Sequence, residues 1–325
     1  MSDLENNTNP EDQEDSKHQT ERNRNRKSIH DIYPLISPIA AAFLGLIGGF
    51  FLYQFVGGML TLVIFGFDLE SAPVNGLRLM TVAGQILFIL LPALLFAKWV
   101  YGDVSDIISV KLPEYMELTL FSIGIIILVP LLQSYLYIQN YYIEYLAVNS
   151  EMVNSFKNLF DSLNELVNKT YGNLLKADSI PEMFFVIIVI AIIPAITEEV
   201  MFRGYIQRSF EFRMKPIWAA LITAFFFGLY HFNPYGLLPL ITLGFYFGFA
   251  AYISKSLIVP MVLHFLNNFG AVILYFIFGD DELISTDLTD SAGLESNIFL
   301  FLLLALLFTI VIFMIKKYYL KIKTV

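Results

Sequence analysis

Along most of this chain the apolar positions do not alternate with polar ones; they run on without a break. Eight stretches are apolar nearly all the way round a helix: 34–55, 79–100, 118–138, 184–205, 217–232, 237–253, 257–278 and 298–315. About 20 such residues make a helix as long as the ~30 Å hydrocarbon core of a bilayer. A helix also satisfies every backbone group within its own segment, which lipid demands. The pattern predicts an all-α fold, a polytopic membrane helical bundle of about eight transmembrane helices. The fifth and sixth stretches are short and separated only by Asn233–Gly236. They read as a hairpin of short spans or as a partly re-entrant element. The first stretch extends towards Phe67.

Two segments break the apolar pattern. Residues 1–33 hold almost no apolar side chains and split into an acidic half and a basic half, which predicts a disordered cytoplasmic tail. The apolar run after it starts too far in for a secretory signal. Residues 139–181 are polar, with Phe156, Phe160, Leu163 and Leu166 at three- and four-residue steps. That spacing predicts an amphipathic helix outside the membrane, lying on its surface, capping the bundle or merely connecting two spans. The expected organisation is then a tail over 1–33, helices 1–3 over 34–138 and the amphipathic segment over 139–181. A core of helices 4–7 follows over 182–278. An outer loop, the last helix and a basic end occupy 279–325.

Composition agrees with a membrane class. The chain is 57% hydrophobic and 15% charged, with a net charge of −9. The absence of cysteine excludes a disulfide scaffold, thiolate metal sites and a cysteine nucleophile. Charge also orients the spans, because cytoplasmic loops carry the excess of Lys and Arg. With the N-terminus inside, only Arg78, Lys157, Lys169 and Lys176 of the 20 basic residues fall outside. Both termini are therefore expected in the cytoplasm. The basic run Arg22–Lys27 reads as orienting the first span or touching anionic lipid, and nothing supports nucleic-acid binding. The acidic outer loop and the missing targeting signal suit an integral protein of a bacterial inner (cell) membrane.

Ionisable groups at membrane depth are expensive and usually mark function. Of the four histidines, His18 and His30 lie in the tail, whereas His231 and His264 fall in apolar stretches. The carboxylates within spans are Glu198 and Glu199. Glu199 and Arg203 are four residues apart on one helix face, in the order that favours an ion pair. Glu198 points about 100° away and is left to face the bundle interior. His264 and Asn268 share another face, with Asn267 beside it. A single cleft collecting Glu198, His231, His264 and Asn268 would be a catalytic site, with Glu199 and Arg203 as its support. Taken singly, each histidine also reads as an interhelical hydrogen-bonder, and the asparagines as glue between helices. The glycines and aromatics of 244–252 read as helix packing.

Three of these segments together resemble a known family. "EEVMFR" (198–203) matches EExxxR, "FGLYH" (227–231) matches FxxxH and "HFLNN" (264–268) contains HxxxN. These are, in order, the motifs of the CAAX protease and bacteriocin-processing family, of which the type II CAAX prenyl endopeptidases are members. The resemblance covers about 184–278. It implies an intramembrane protease acting on membrane-associated or lipidated protein substrates, with a polar cleft open to the cytoplasm. Glu198 with His231 would activate a water, His264 and Asn268 would stabilise the oxyanion, and Glu199 and Arg203 would support the site. A non-catalytic membrane protein of the same fold, serving bacteriocin immunity or scaffolding, is the alternative.

Members of the family are often labelled metalloproteases. Glu198, His231 and His264 would be the ligands of a zinc ion carrying a water. Zinc would still need a separate general base. The metal-free scheme, with Glu198 as base, requires no cofactor, leaves no role unfilled and is preferred. It asks for a fourth span that runs unbroken from Glu198 through Gln207. It also asks for tilt, a kink or a re-entrant turn to bring His231 and His264 to one depth.

Overall fold

The computed structural model describes residues 32–69, 71–284 and 291–323. The tail expected over 1–33 lies outside the described residues apart from Ile32 and Tyr33, as does 285–290 of the acidic loop. Among the described residues there are helices and no strands.

Among the described residues, seven helices are long and apolar enough to cross a membrane. They are α1 (Pro38–Phe65), α2 (Val74–Tyr101), α3 (Tyr115–Asn149), α5 (Ile180–Glu211), α7 (Leu237–Ser254), α8 (Ile258–Gly279) and, in its membrane part, α9 (Gly293–Lys321). Between them lie α4 (Glu151–Leu175) and α6 (Pro216–Leu229). The expectation of eight helices each long enough to span is corrected here: α6 has 14 residues, or ~21 Å of helix, short of the ~30 Å core, and the chain reaches Tyr235, against α4, only through the turn that follows α6. The helix stops because the chain turns at 230–236. Pro234 disfavours helical geometry at Asn233, and the Asn233 side chain accepts from the Gly236 N–H at 2.7 Å. The third span is longer than its apolar run: α3 continues to Asn149, past a capping box at Glu114 and Glu117 and through Pro130.

The amphipathic segment forms α4, which is tied to the bundle at two places. Buried Arg78 donates to the carbonyls of Leu174 and Lys176 at its end. In its middle, Asp161 accepts from the Tyr235 hydroxyl at 2.5 Å and from Lys157 at 2.9 Å. Burial pushes the Asp161 carboxyl up, but these two donors outweigh it and hold the group below its ordinary value. Tyr235 belongs to the turn between α6 and α7, so α4 caps that turn.

Two apolar cores organise the helices. One joins α1, α2 and the C-terminal half of α5, with Ala41, Ala42, Ala93 and Ala97 fully buried against Phe202, Tyr205 and Ile206. The other joins α3, α7, α8 and α9 around Phe121, Tyr246, Phe247, Leu263 and Ile315. Small residues at helix contacts let backbones approach in lipid, where the hydrophobic effect gives no help. Glycines 244 and 248 serve this purpose: a Cβ on Gly244 would sit 3.2 Å from the Ala224 backbone, and one on Gly248 2.6 Å from Gln207 Oε1.

Candidate active site

The centre of the site is an ion pair held where the two cores meet. Glu199 is fully buried and Arg203 nearly so. Arg203 Nη1 donates to Glu199 Oε1 at 2.9 Å, the contact their four-residue spacing predicts. Its Nη2 donates to the Gly244 carbonyl at 2.9 Å. One turn further along α5, Gln207 Nε2 repeats the pattern on the Gly248 carbonyl at 3.0 Å. The guanidinium lies 4.5 Å from the Phe227 ring centroid and 5.4 Å from that of Phe247. Cation–π contact is strongest for a cation shielded from solvent, and the Arg203 side chain is fully buried.

The same carboxylate oxygen reaches the second core. His264 Nδ1 lies 2.8 Å from Glu199 Oε1, with the imidazole stacked on Phe247 at 5.3 Å. The oxygen that accepts from Arg203 accepts from His264 as well, so Nδ1 donates, which leaves Nε2 as the free nitrogen. Spacing alone did not reveal this pairing, because it joins α5 to α8 across 65 residues.

His231 is placed differently from the expectation that it lies within a span. It sits in the turn just past α6, half-buried, and its Nδ1 approaches the Phe227 carbonyl at 2.7 Å. A carbonyl only accepts, so Nδ1 again carries the proton and Nε2 again is free. The ring thus caps the end of α6. The next residue, Phe232, has φ 50°, a rare conformation for a bulky side chain of the kind found at functional sites. Phe227 joins the two histidines: its carbonyl holds His231 and its ring packs edge-on against His264 at 5.9 Å. Because α6 ends so early, His231 stays within electrostatic reach of His264.

Glu198 faces α2. Its Oε1 accepts from Gln85 Nε2 at 3.1 Å, and it lies within electrostatic reach of both His231 and Arg203. Asn268 Nδ2 donates to the Ile190 carbonyl at 2.9 Å, and its Oδ1 accepts from Asn267 at 3.0 Å. Pro194 explains the first of these bonds. It has no N–H to give the carbonyl four residues earlier, so the Ile190 oxygen is left for Asn268. The second amide hydrogen of Asn268 remains for another acceptor.

The four expected site residues make no hydrogen bonds to one another among the described residues: Phe227 joins His231 to His264, Gln85 holds Glu198, and Asn268 is held by Ile190 and Asn267. Among those residues no three His, Asp or Glu side chains gather to hold a metal ion. The set Glu198, His231 and His264 is therefore not assembled as zinc ligands. Gln85 is the site residue that motif spacing missed. Its signal was a lone amide in an otherwise apolar span, in "VAGQILFILLP".

The helix that carries the motif runs without a break from Ile180 to Glu211, as the sequence requires. Wide π-type turns occupy Ile187–Ile192 and Val200–Gln207, on either side of the two glutamates. Such turns shift the phase of the side chains and recur at functional sites.

The family described as "Type II CAAX prenyl endopeptidase Rce1-like" matches residues 180–270. Those residues are Rce1-like. The Rce1-like segment spans α5 through most of α8 and contains Glu198, Glu199, Arg203, His231, His264 and Asn268. Gln85 stands outside it. Neither a curated protein nor a solved structure matches the chain.

Proposed function

We propose that the protein is an intramembrane endopeptidase that hydrolyses peptide bonds of membrane-associated or lipidated, CAAX-like protein substrates. The observation that carries this reading is a polar centre among apolar helices, half-buried Glu198 within electrostatic reach of half-buried His231 and buried Glu199 bound to buried His264, within the Rce1-like segment. Lipid-depth charges without a task are rare.

The chemistry follows from the free atoms. Glu198 Oε2 has no hydrogen-bond partner among the described residues, and His231 Nε2 carries a lone pair. Together they accept the two hydrogens of one water and aim its oxygen at a carbonyl carbon. Glu198 takes the proton as the C–O bond forms, and gives it to the leaving nitrogen as the C–N bond breaks. The second amide hydrogen of Asn268 stabilises the tetrahedral oxyanion; such a donor contributes about 3 kcal/mol. His264 Nε2 joins it only when the ring carries a proton on both nitrogens. We further place both termini in the cytoplasm, from the distribution of Lys and Arg, and the protein in a bacterial inner membrane, which the acidic outer loop suits.

The test is cleavage of a peptide bearing a prenylated C-terminal CAAX sequence by the purified protein in liposomes, followed by mass spectrometry. Glu198→Gln and His231→Ala should each abolish cleavage while the variants unfold at the wild-type temperature. Wild-type turnover by both variants would refute the reading and favour a scaffold.

A further inference from the structure

Gln85 lies outside the Rce1-like segment, on α2, and is 4% exposed. A buried amide in a membrane helix needs partners for both its ends, and Gln85 finds them on consecutive residues of α5. Its Nε2 meets Glu198 Oε1 at 3.1 Å, and its Oε1 meets the Thr197 hydroxyl at 2.5 Å. Thr197 is itself 1% exposed. Gln85 closes the regular part of α2, and the wide turn Ile86–Leu90 begins immediately after it. That turn brings the amide onto α5 in the same way that wide turns frame the glutamates.

The hydroxyl has one hydrogen and two acceptors within reach, Gln85 Oε1 at 2.5 Å and the Ile193 carbonyl at 3.0 Å. Given to Gln85, that hydrogen fixes which end of the amide faces Glu198. The NH2 end then points at the carboxylate oxygen, which accepts. A flipped amide would set oxygen against oxygen. With Oε1 engaged and its rotation arrested, Glu198 presents Oε2 to the water in one geometry.

We infer that Gln85 and Thr197 form a two-residue positioning unit, in which the Thr197 hydroxyl orients the Gln85 amide and the amide holds Glu198 in register as the general base. This rests on the hydrolase reading above and adds residues to it from outside the motifs. Neither group touches the substrate or the reacting water.

The experiment measures kcat and KM of the purified protein in liposomes, on the prenylated CAAX peptide, for four variants: Gln85→Met, Thr197→Val, Thr197→Ser and the Gln85→Met/Thr197→Val double. Loss of a hydrogen bond to a charged group should lower kcat of Gln85→Met about tenfold or more with KM unchanged. Thr197→Val, which keeps the shape, should fall in the same way, and Thr197→Ser should restore the rate. The double variant should be no slower than Gln85→Met alone, because the hydroxyl acts only through the amide. A purely structural role would lower the unfolding temperature without this split and without non-additivity. If Gln85→Met does not fold, the Thr197 pair alone decides. Wild-type kcat for Gln85→Met or Thr197→Val, or multiplicative losses in the double, would overturn the positioning unit while an inactive Glu198→Gln leaves the hydrolase reading standing. An active Glu198→Gln, or a wild type inert towards the peptide, would remove both.

Discussion

Arg203 and Glu199 each carry a charge that membrane depth forbids to an isolated side chain, and each is tolerable only because of the other. The pair adds a carbonyl, an imidazole and two aromatic faces to its environment. Removing one member leaves a buried charge without its counterion, which costs about 3–5 kcal/mol. Arg203→Met should therefore lose about that much stability in chemical unfolding of the detergent-solubilised protein. Glu199→Gln/Arg203→Met should be more stable than the single variant, because no orphan charge remains. Equal stability of the two would show that Glu199 does not depend on Arg203. At this scale much was legible: four-residue spacing named the ion pair, and the rarity of ionisable groups in spans singled out the histidines. The bond from His264 to Glu199 was not legible, since it joins distant helices. Gln85 escaped because an amide carries no charge to make it conspicuous.

At the scale of elements, the site depends on how closely α5, α6 and α7 approach. The Gly244 and Gly248 carbonyls accept from Arg203 and Gln207 because no side chain intervenes. Gly248→Ala would put a methyl 2.6 Å from Gln207 Oε1 and 3.1 Å from the Ala220 Cβ. We expect it to cost about 1–3 kcal/mol by overpacking. Gly58→Ala, where nothing lies within 4 Å, should be neutral or slightly stabilising through helix propensity. Thermal unfolding of the two variants separates them; equal effects would mean that α5 and α7 are not in close contact. The long fourth span was legible from its apolar run and the amphipathic residues after it. The end of α6 was not, because Tyr230, His231 and Phe232 keep the run apolar or aromatic after the helix has stopped. What ends it is the local turn chemistry of Asn233 and Pro234, which hydropathy does not weigh.

For the whole molecule, apolar run length sufficed to identify an all-α membrane bundle. It did not show that α6 is only ~21 Å long and reaches the α4 side through the turn that follows it. The proposed orientation puts α4 outside and the end of α9 inside. The chain has no cysteine, so a single introduced one reports without background. A membrane-impermeant maleimide should label Glu151→Cys in intact cells and Lys317→Cys only after permeabilisation; the opposite pattern would invert the topology. The central claim is that this bundle holds a water between Glu198 and His231 and uses it to cut a peptide bond. The most direct measurement is cleavage of the prenylated CAAX peptide in oxygen-18 water, read by mass spectrometry of the new carboxyl terminus. The account predicts one heavy oxygen in the wild-type product and no product from Glu198→Gln. Unlabelled product, or labelled product formed at the wild-type rate by Glu198→Gln, would contradict it.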